Sequence, residues 1–492
     1  MMDDLVQARA KLARLEAKAQ ELVEQLLGVR VAVFAQRTKI SELIRHKSPI
    51  QRLPTELLLY ILILDVCAHP DHERKQELAG VSRRWRDIIL DSPIFWRSIA
   101  IPRLTTSAIE THLRRSGGSL LDIVIGVDLD DLGRSYEGIS PRLDVIKPNA
   151  HRWGSLDVSH VENQAGQADS DDDEDIPVGE FLIKAIGHLE LPLLKRASIQ
   201  FFGNIAYPDF LSQTRAPSLE HLELRCPTWN NFLPPPTLKS LVVSFAVESA
   251  PEPLFTRLIP TQTLTTLSLG GNFDNLSFQP DSIYFPVLNT LTLTFRATNG
   301  FMQAIIAPNL ECFTYFCFDE EENPPSVVFA GLGSKFTTVH RVSFPVTSVI
   351  GQFPTYDHSP LCQAFPNVCH ARLNPRDLID LFTPSRRGDE SIPGAIDLWR
   401  NLTSLTVGGL HSRWWEALNL LTRWLMQRRK LGLPLLHVKI SCSLSDDFGF
   451  LYGCLRDHCL LEFDDSSMKK AHISALANSS PRMVSILCLP LQ

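Results

Sequence analysis

The stretch "PSLEHLEL", residues 217–224, puts leucines at 219, 222 and 224, an L-x-x-L-x-L core whose second half alternates as a half-buried strand does. The theme returns. It reads "PTLKSLVV" from Pro236, "TLTTLSL" from Thr263, "PVLNTLTL" from Pro286, "PNLECFTY" from Pro308, "PNVCHARL" from Pro366 and "RNLTSLTV" from Arg400, with looser copies at Pro192 and Thr337. The first leucines, Leu219, Leu238, Leu264, Leu288 and Leu310, stand 19 to 26 residues apart. A unit that short cannot bury its apolar side alone, so neighbouring copies must stack.

That core and spacing are those of a leucine-rich-repeat strand, and they predict an irregular α/β solenoid over residues 120–492. Later gaps widen, and only Asn272 stands where a ladder asparagine would follow the strand. The curve is therefore expected to be irregular. The x positions, such as His221 and Glu223, are expected to face outward on a concave sheet. "NGFMQAII", "PRDLIDLF" and "RWWEALNLLTRWLMQRRKL" read as helices on the convex side. The acidic, aliphatic-free run at 165–175 reads as a solvated loop, or as a regulatory segment with Ser170 phosphorylated among acids.

Ahead of the repeats lie two further zones. From Leu5 a 3,4 spacing holds through Ala8, Leu12, Leu15, Ala19, Leu22, Leu26, Val29, Val33, Gln36, Ile40 and Leu43. Only Gln36 breaks the seam, and a period of 3.5 is that of a coiled coil. The flanks specify a partner weakly: Lys11 can pair with Glu16 of a parallel copy, but Val23 and Ala32 widen the stripe and Arg30, Arg37 and Lys39 lack acids. Residues 1–46 either self-associate or fold back on their own chain.

The next zone, residues 49–101, opens with "RLPTELLLYILILDV". Pro54 suits a first helical turn and Glu56 suits the positive end of the helix dipole. From Leu57 to Leu64 the run is apolar on every side, so it needs cover on two faces. It is too short to span a bilayer, which takes about 20 apolar residues. "QELAGVSRRWRDIILDSPIFWRSIAI" then sets Leu78, Val81, Trp85, Ile88 and Ile89 at helical spacing, which predicts one amphipathic helix ending at Asp91, Ser92 and Pro93. Ile94, Phe95, Trp96 and Ile99 close the zone as a short apolar segment.

"LPTELLLYIL" followed by "LAGVSRRWRDIILDSPIFWRSI" resembles an F-box, with its Leu-Pro-x-Glu helix start, later Val-Cys-x-x-Trp helix and terminal P-x-x-W. Val81-Ser82 stands where the family often has Val-Cys, and the "CAHPDHERK" link is longer than usual. The resemblance implies a three-helix module that docks on the Skp adaptor and through it on a cullin. It carries adaptor contact onto Leu53, Pro54, Leu57, Leu58 and Ile61, and a packing or contact role onto Val81, Trp85 and Trp96. A coiled coil directly before the F-box resembles the layout of many F-box proteins of mushroom-forming fungi, and the repeats resemble the substrate-binding half of F-box and leucine-rich-repeat proteins. The implied function is a substrate receptor of an SCF-type cullin-RING ubiquitin ligase, its target an unknown protein. The alternative is a coiled-coil and repeat scaffold uncoupled from any ligase.

Composition agrees with a globular α+β chain: 492 residues, 44% hydrophobic, 21% charged, net charge −7. Without a basic stripe, nucleic acid is not expected as a partner. No apolar leader or bilayer-length segment appears, so no membrane partner is expected and the chain reads as cytoplasmic or nuclear. Ten scattered cysteines without a C-x-x-C pair fit reduced thiols. No enzyme, metal or cofactor is expected: Cys67, His69 and His72 lack a second zinc pair, "CLRDHC" at 454–459 reads as structural, and "GLGSK" at 331–335 is a turn without the full phosphate-loop spacing.

Overall fold

A computed structural model describes residues 2–47, 49–68, 72–101, 103–128, 132–161, 182, 184–206, 209–228, 234–244, 259–271, 278–295, 299–316, 325–344, 357–383, 394–408, 414–441, 453 and 455–463. The run at 165–175 and Asn272 lie outside them. The chain is mixed helix and strand and divides into two compact units, one of residues 1–96 with 115–117, the other of 97–114 with 118–492.

The first unit is helical. α1, Met2–Lys47, is a single helix of 46 residues, about 69 Å long at 1.5 Å per residue. Its seam residues Leu5, Leu12, Leu15, Leu22, Leu26, Val29, Val33, Ile40 and Leu43 are all exposed, uncovered by any described part of the chain. Three short helices follow: α2, Thr55–Ala68, α3, His72–Val81, and α4, Arg83–Asp91. The single amphipathic helix expected over Leu78 to Ile89 is thus two. Ser82 is the reason: its backbone is extended (φ −159°, ψ 163°) and its Oγ accepts the Trp85 N–H at 3.2 Å, so a serine cap starts a new helix. Leu58, Leu62, Leu78, Ile88, Ile89 and Phe95 form the core, with Trp85 and Trp96 half-buried against it.

The second unit is built on strands. Ile99, grouped above with the preceding helices, belongs instead to β1, Ser98–Ala100. β2, Leu121–Asp128, β3, Trp153–Val161, and β4, Arg196–Ala206, continue the sheet with β5, His221–Thr228, β6, Ser240–Ser244, and β7, Thr266–Gly271. β8, Ile283–Tyr284, precedes β9, Thr290–Phe295, and β10, Ile305–Ile306, precedes β11, Cys312–Tyr315. β12, Arg341–Ser343, β13, His370–Leu373, β14, Ser404–Gly408, β15, Leu436–Ser441, and β16, Cys459–Phe463, complete it. Fourteen of these form one open sheet whose order follows the sequence, β8 and β10 pairing separately. Every pairing is parallel. All seven close copies of the theme end in strands of this sheet. The sheet also extends further than the theme, through β1 to β3 and through β15 and β16.

Register explains the alternation. Leu222 and Leu224 align with Leu241 and Val243, these with Leu267 and Leu269, and these with Leu291 and Leu293. All eight are buried, so the alternating leucines form continuous apolar columns. The first leucines are buried beside them. After each, a backbone N–H reaches the preceding repeat: Glu220 to Lys195, Lys239 to Glu220, Thr265 to Lys239, Asn289 to Thr265, Glu311 to Asn289, His340 to Glu311 and Cys369 to His340. The residue before the first leucine adds a side-chain rung. Thr237 donates to the Leu219 carbonyl at 2.8 Å, Thr263 to Leu238 at 2.8 Å, Asn309 to Pro286 at 2.6 Å and Asn367 to Thr337 at 2.8 Å.

Helices on the connections match the sequence in two of three places. α10, Pro375–Phe382, is capped by Asn374, which accepts from Arg376 N and Asp377 N, and α11, Trp415–Lys430, packs Trp424 on Phe382 with ring centroids 5.0 Å apart. The "NGFMQAII" stretch is shorter than expected: α7, Asn299–Ala304, gives way to β10, because Ile305 and Ile306 pair with Ile283 and Tyr284. Helices α5, Thr106–Arg115, α6, Leu132–Ile146, α8, Pro325–Val328, and α9, Ser359–Ala364, also lie among the described residues of this unit. Gly331 has φ +74° and Ser334 φ 59°, so "GLGSK" forms a turn.

Candidate functional site

Two surfaces carry exposed groups at regular spacing, one in each unit. The first is α2. The Pro54 carbonyl accepts from Leu58 N–H at 3.1 Å, so the helix begins one residue after the proline that shapes its start. Its apolar residues then divide by face. Leu58 and Leu62, 0% and 1% exposed, join the core, whereas Leu57 (52%), Tyr60 (61%), Ile61 (43%) and Leu64 (52%) point to solvent. Positions i, i+3, i+4 and i+7 share one side of a helix. The "all-round" apolar run is therefore two stripes back to back, one covered by the unit's own core and one bare.

The expected contact residues distribute accordingly. Leu57 and Ile61 lie in the bare stripe, and Pro54 and Val81 are exposed. Leu53 is half-buried, its carbonyl accepting from Arg84 Nη2 at 2.6 Å, which ties α4 to the start of α2. Leu58 moves from the contact set to the core, since a fully buried side chain has no surface to offer. Trp85 and Trp96 pack: Trp96 donates from Nε1 to the Ile89 carbonyl at 2.9 Å, and the Arg115 guanidinium lies 4.7 Å above its ring. Tyr60 and Leu64, at i+3 and i+7 from Leu57, extend the bare stripe beyond the residues expected from the sequence. Arg74 clamps the far end of α2 by two bonds to Asp65, at 2.7 and 2.9 Å, and those bonds, then Glu77, raise its already high pKa.

The second surface is the outward face of the large sheet, where small hydroxyl residues predominate in the middle: Ser240 and Ser244 on β6, Thr266 and Ser268 on β7, Thr290, Thr292 and Thr294 on β9, Thr314 on β11. Gly270 belongs to this face because a Cβ there would meet the hydroxyls of Thr294 and Ser244. Several charges on or beside it are paired. Arg97 meets Asp122 at 2.8 Å, Lys239 meets Glu220 at 2.9 Å, and Glu462 takes both His437 at 3.0 Å and Lys439 at 3.5 Å. Gln200 donates to Glu223 at 3.1 Å, and Asp157 is raised by burial and then by the Glu223 charge.

His221 is exposed and Glu223 half-exposed between the buried Leu222 and Leu224, as the alternation requires. Replacing both with alanine should shift the unfolding free energy by less than about 1 kcal/mol, the range of surface substitutions. Thermal unfolding followed by circular dichroism checks this; collapse of the fold would mean the register is wrong.

Among the described residues no three His, Cys, Asp or Glu side chains are grouped to hold a metal, and no helix is long and apolar enough to cross a membrane. In "CLRDHC" the Cys459 thiol is buried, donates to the Leu455 carbonyl at 3.2 Å and is pushed up to about 11 by burial, which keeps it protonated and unreactive near neutrality. Burial likewise pushes Cys362 well above the ordinary thiol range. No protein-family model and no curated protein matches the chain.

Proposed function

We propose that the chain is a substrate receptor of an SCF-type cullin-RING ubiquitin ligase, acting in the cytoplasm or nucleus. The helical unit docks on the Skp adaptor as an F-box, and the sheet unit, a leucine-rich-repeat solenoid, holds the protein to be modified. The observation that carries the reading is the bare stripe of Leu57, Tyr60, Ile61 and Leu64 on a helix that starts Leu-Pro-x-Glu. Four half-exposed apolar side chains in one row gain on the order of 1 kcal/mol apiece when covered. A small unit already short of core gains stability by covering them. The sequence-ordered parallel strands and their buried leucine columns support the repeat reading, as does the rung donated by Thr237, Thr263, Asn309 and Asn367. Co-purification of the full chain with a Skp adaptor tests the proposal, and failure to bind any such adaptor overturns it.

A scaffold is the second reading, favoured by α1. Its exposed seam runs the length of a 46-residue helix and calls for a partner helix whether or not an adaptor binds. A peptide of residues 1–46 is expected to be helical and to self-associate at micromolar concentration, weakened by Ala8, Ala19 and Gln36 in the seam. Analytical ultracentrifugation that finds only monomer at high concentration removes this second reading's dimer.

A further inference from the structure

On β12 and β13 the outward face carries two arginines and a histidine within a few residues. Arg341 lies opposite His370, and Ser343 lies opposite Arg372, while Val342 and Ala371 between them are buried. Arg341, His370 and Arg372 are all exposed. With strands about 4.8 Å apart and about 3.3 Å of rise per residue, the two arginine positions are diagonal neighbours about 8 Å apart. Their guanidiniums can reach one point above Ser343 and His370. The flanking strands offer no acid on this face: Cys312 and Thr314 lie on one side, Ser404 and Thr406 on the other. The nearest acid in register, Glu311, lies on the approach to β11, where its carbonyl accepts from His340 and Arg341. Among the described residues none of these three side chains makes an ion pair. Partial desolvation, then the charges of Arg341 and His340, hold the His370 imidazole below its usual range. Arg341 and Arg372 are thus gathered here with no acid in register on either neighbouring strand.

We propose that the face over β12 and β13 binds an extended acidic segment of a partner protein, its carboxylates held by Arg341 and Arg372 and its backbone by the hydroxyls of Thr314, Ser343, Ser404 and Thr406. The assignment deepens the target-holding role given to the sheet unit and is independent of adaptor docking. Charge complementarity sets the partner's sign, and guanidiniums suit carboxylates by geometry. The footprint sets its length. Two strands of cations bordered by neutral hydroxyls match a few consecutive acidic side chains, whereas a nucleic acid needs a longer basic track.

The probe is a fluorescently labelled peptide of alternating glutamate and serine, long enough to cross both strands, titrated with the full chain and followed by anisotropy. Binding should appear, weaken as salt is raised, and be lost in R341E/R372E. R341Q/R372Q should weaken it by up to about thirtyfold, since each arginine at an exposed site contributes up to about 1 kcal/mol. Circular dichroism confirms that both variants fold, as exposed positions allow. The Leu57→Asp chain should bind the peptide as wild type does, which separates this site from the adaptor reading. Equal binding by R341E/R372E, or equal binding of the matching lysine–serine peptide, overturns the proposal. So does a single-stranded oligonucleotide that binds as tightly and is lost in the same variant. Peptide binding that appears only after the chain's own acidic run at 319–322 is neutralised assigns the patch to that run and overturns it too.

Discussion

Leu57→Asp is expected to abolish pull-down of the Skp adaptor while leaving the helical unit folded, and Leu58→Asp, one residue on, is expected to unfold that unit. The difference follows from which way each side chain faces. Leu57 is half-exposed in the free chain, so a carboxylate there keeps its water until a partner arrives. Docking would then strip that water without supplying a hydrogen-bond donor, a cost of several kcal/mol. Interface energy concentrates in a few central residues, so one such change is enough. Leu58 lies wholly inside, against the core made by Leu78, Ile88 and Ile89, and a charge there has no hydrated alternative while the fold persists. Pro54→Ala combined with Ile61→Ala should weaken adaptor capture without touching the core. Pull-down paired with circular dichroism reads all three; a Leu57→Asp chain that still captures the adaptor removes the receptor reading.

The second large effect is expected at Phe365. Its ring stacks 4.8 Å from Phe313 and 5.4 Å from Phe336, and meets Phe329 edge-on at 5.7 Å. Phe313 also touches Phe329 and Tyr315, so one side chain joins the rings of β11 to those of the connection between α8 and β12. Phe365→Ala should cost the sheet unit about 3–5 kcal/mol, the range for a buried phenylalanine. Leucine at the same place should restore part of that by refilling volume. Denaturant unfolding is the measurement, and a loss below about 1 kcal/mol would show that the cluster relaxes into the gap.

Much of this was legible because strand and helix patterns repeat with fixed periods. Leu222 with Leu224, and Leu291 with Leu293, show the strand alternation directly, and the Leu57 to Leu64 run announced that two faces needed cover. What escaped notice depended on single polar atoms or on substituted apolar residues. The break at Ser82 rests on one hydroxyl bonding one amide, inside a run whose apolar spacing continues undisturbed. The rung of Thr237, Thr263, Asn309 and Asn367 stands before the first leucine, whereas a ladder asparagine would follow the strand. β2 and β3 fill the leucine positions with Ile123, Ile125, Trp153 and Val158, which keep the burial but lose the letter. The cluster of Arg341, His370 and Arg372 is separated by up to 31 residues in sequence, and only the parallel register makes them neighbours.

Strand order identical to chain order has a bearing on biosynthesis. Paired residues of adjacent strands lie between 19 residues apart, as in His221 and Ser240, and 41, as in Ser155 and Arg196. A ribosome adding about 5–20 residues per second presents each strand to an edge completed only seconds earlier. No strand of the large sheet has to wait for a later one to be inserted beside an earlier one. Apart from the outer edge of β1, the unpaired edge is always that of the newest strand, and it is re-covered with every segment that emerges.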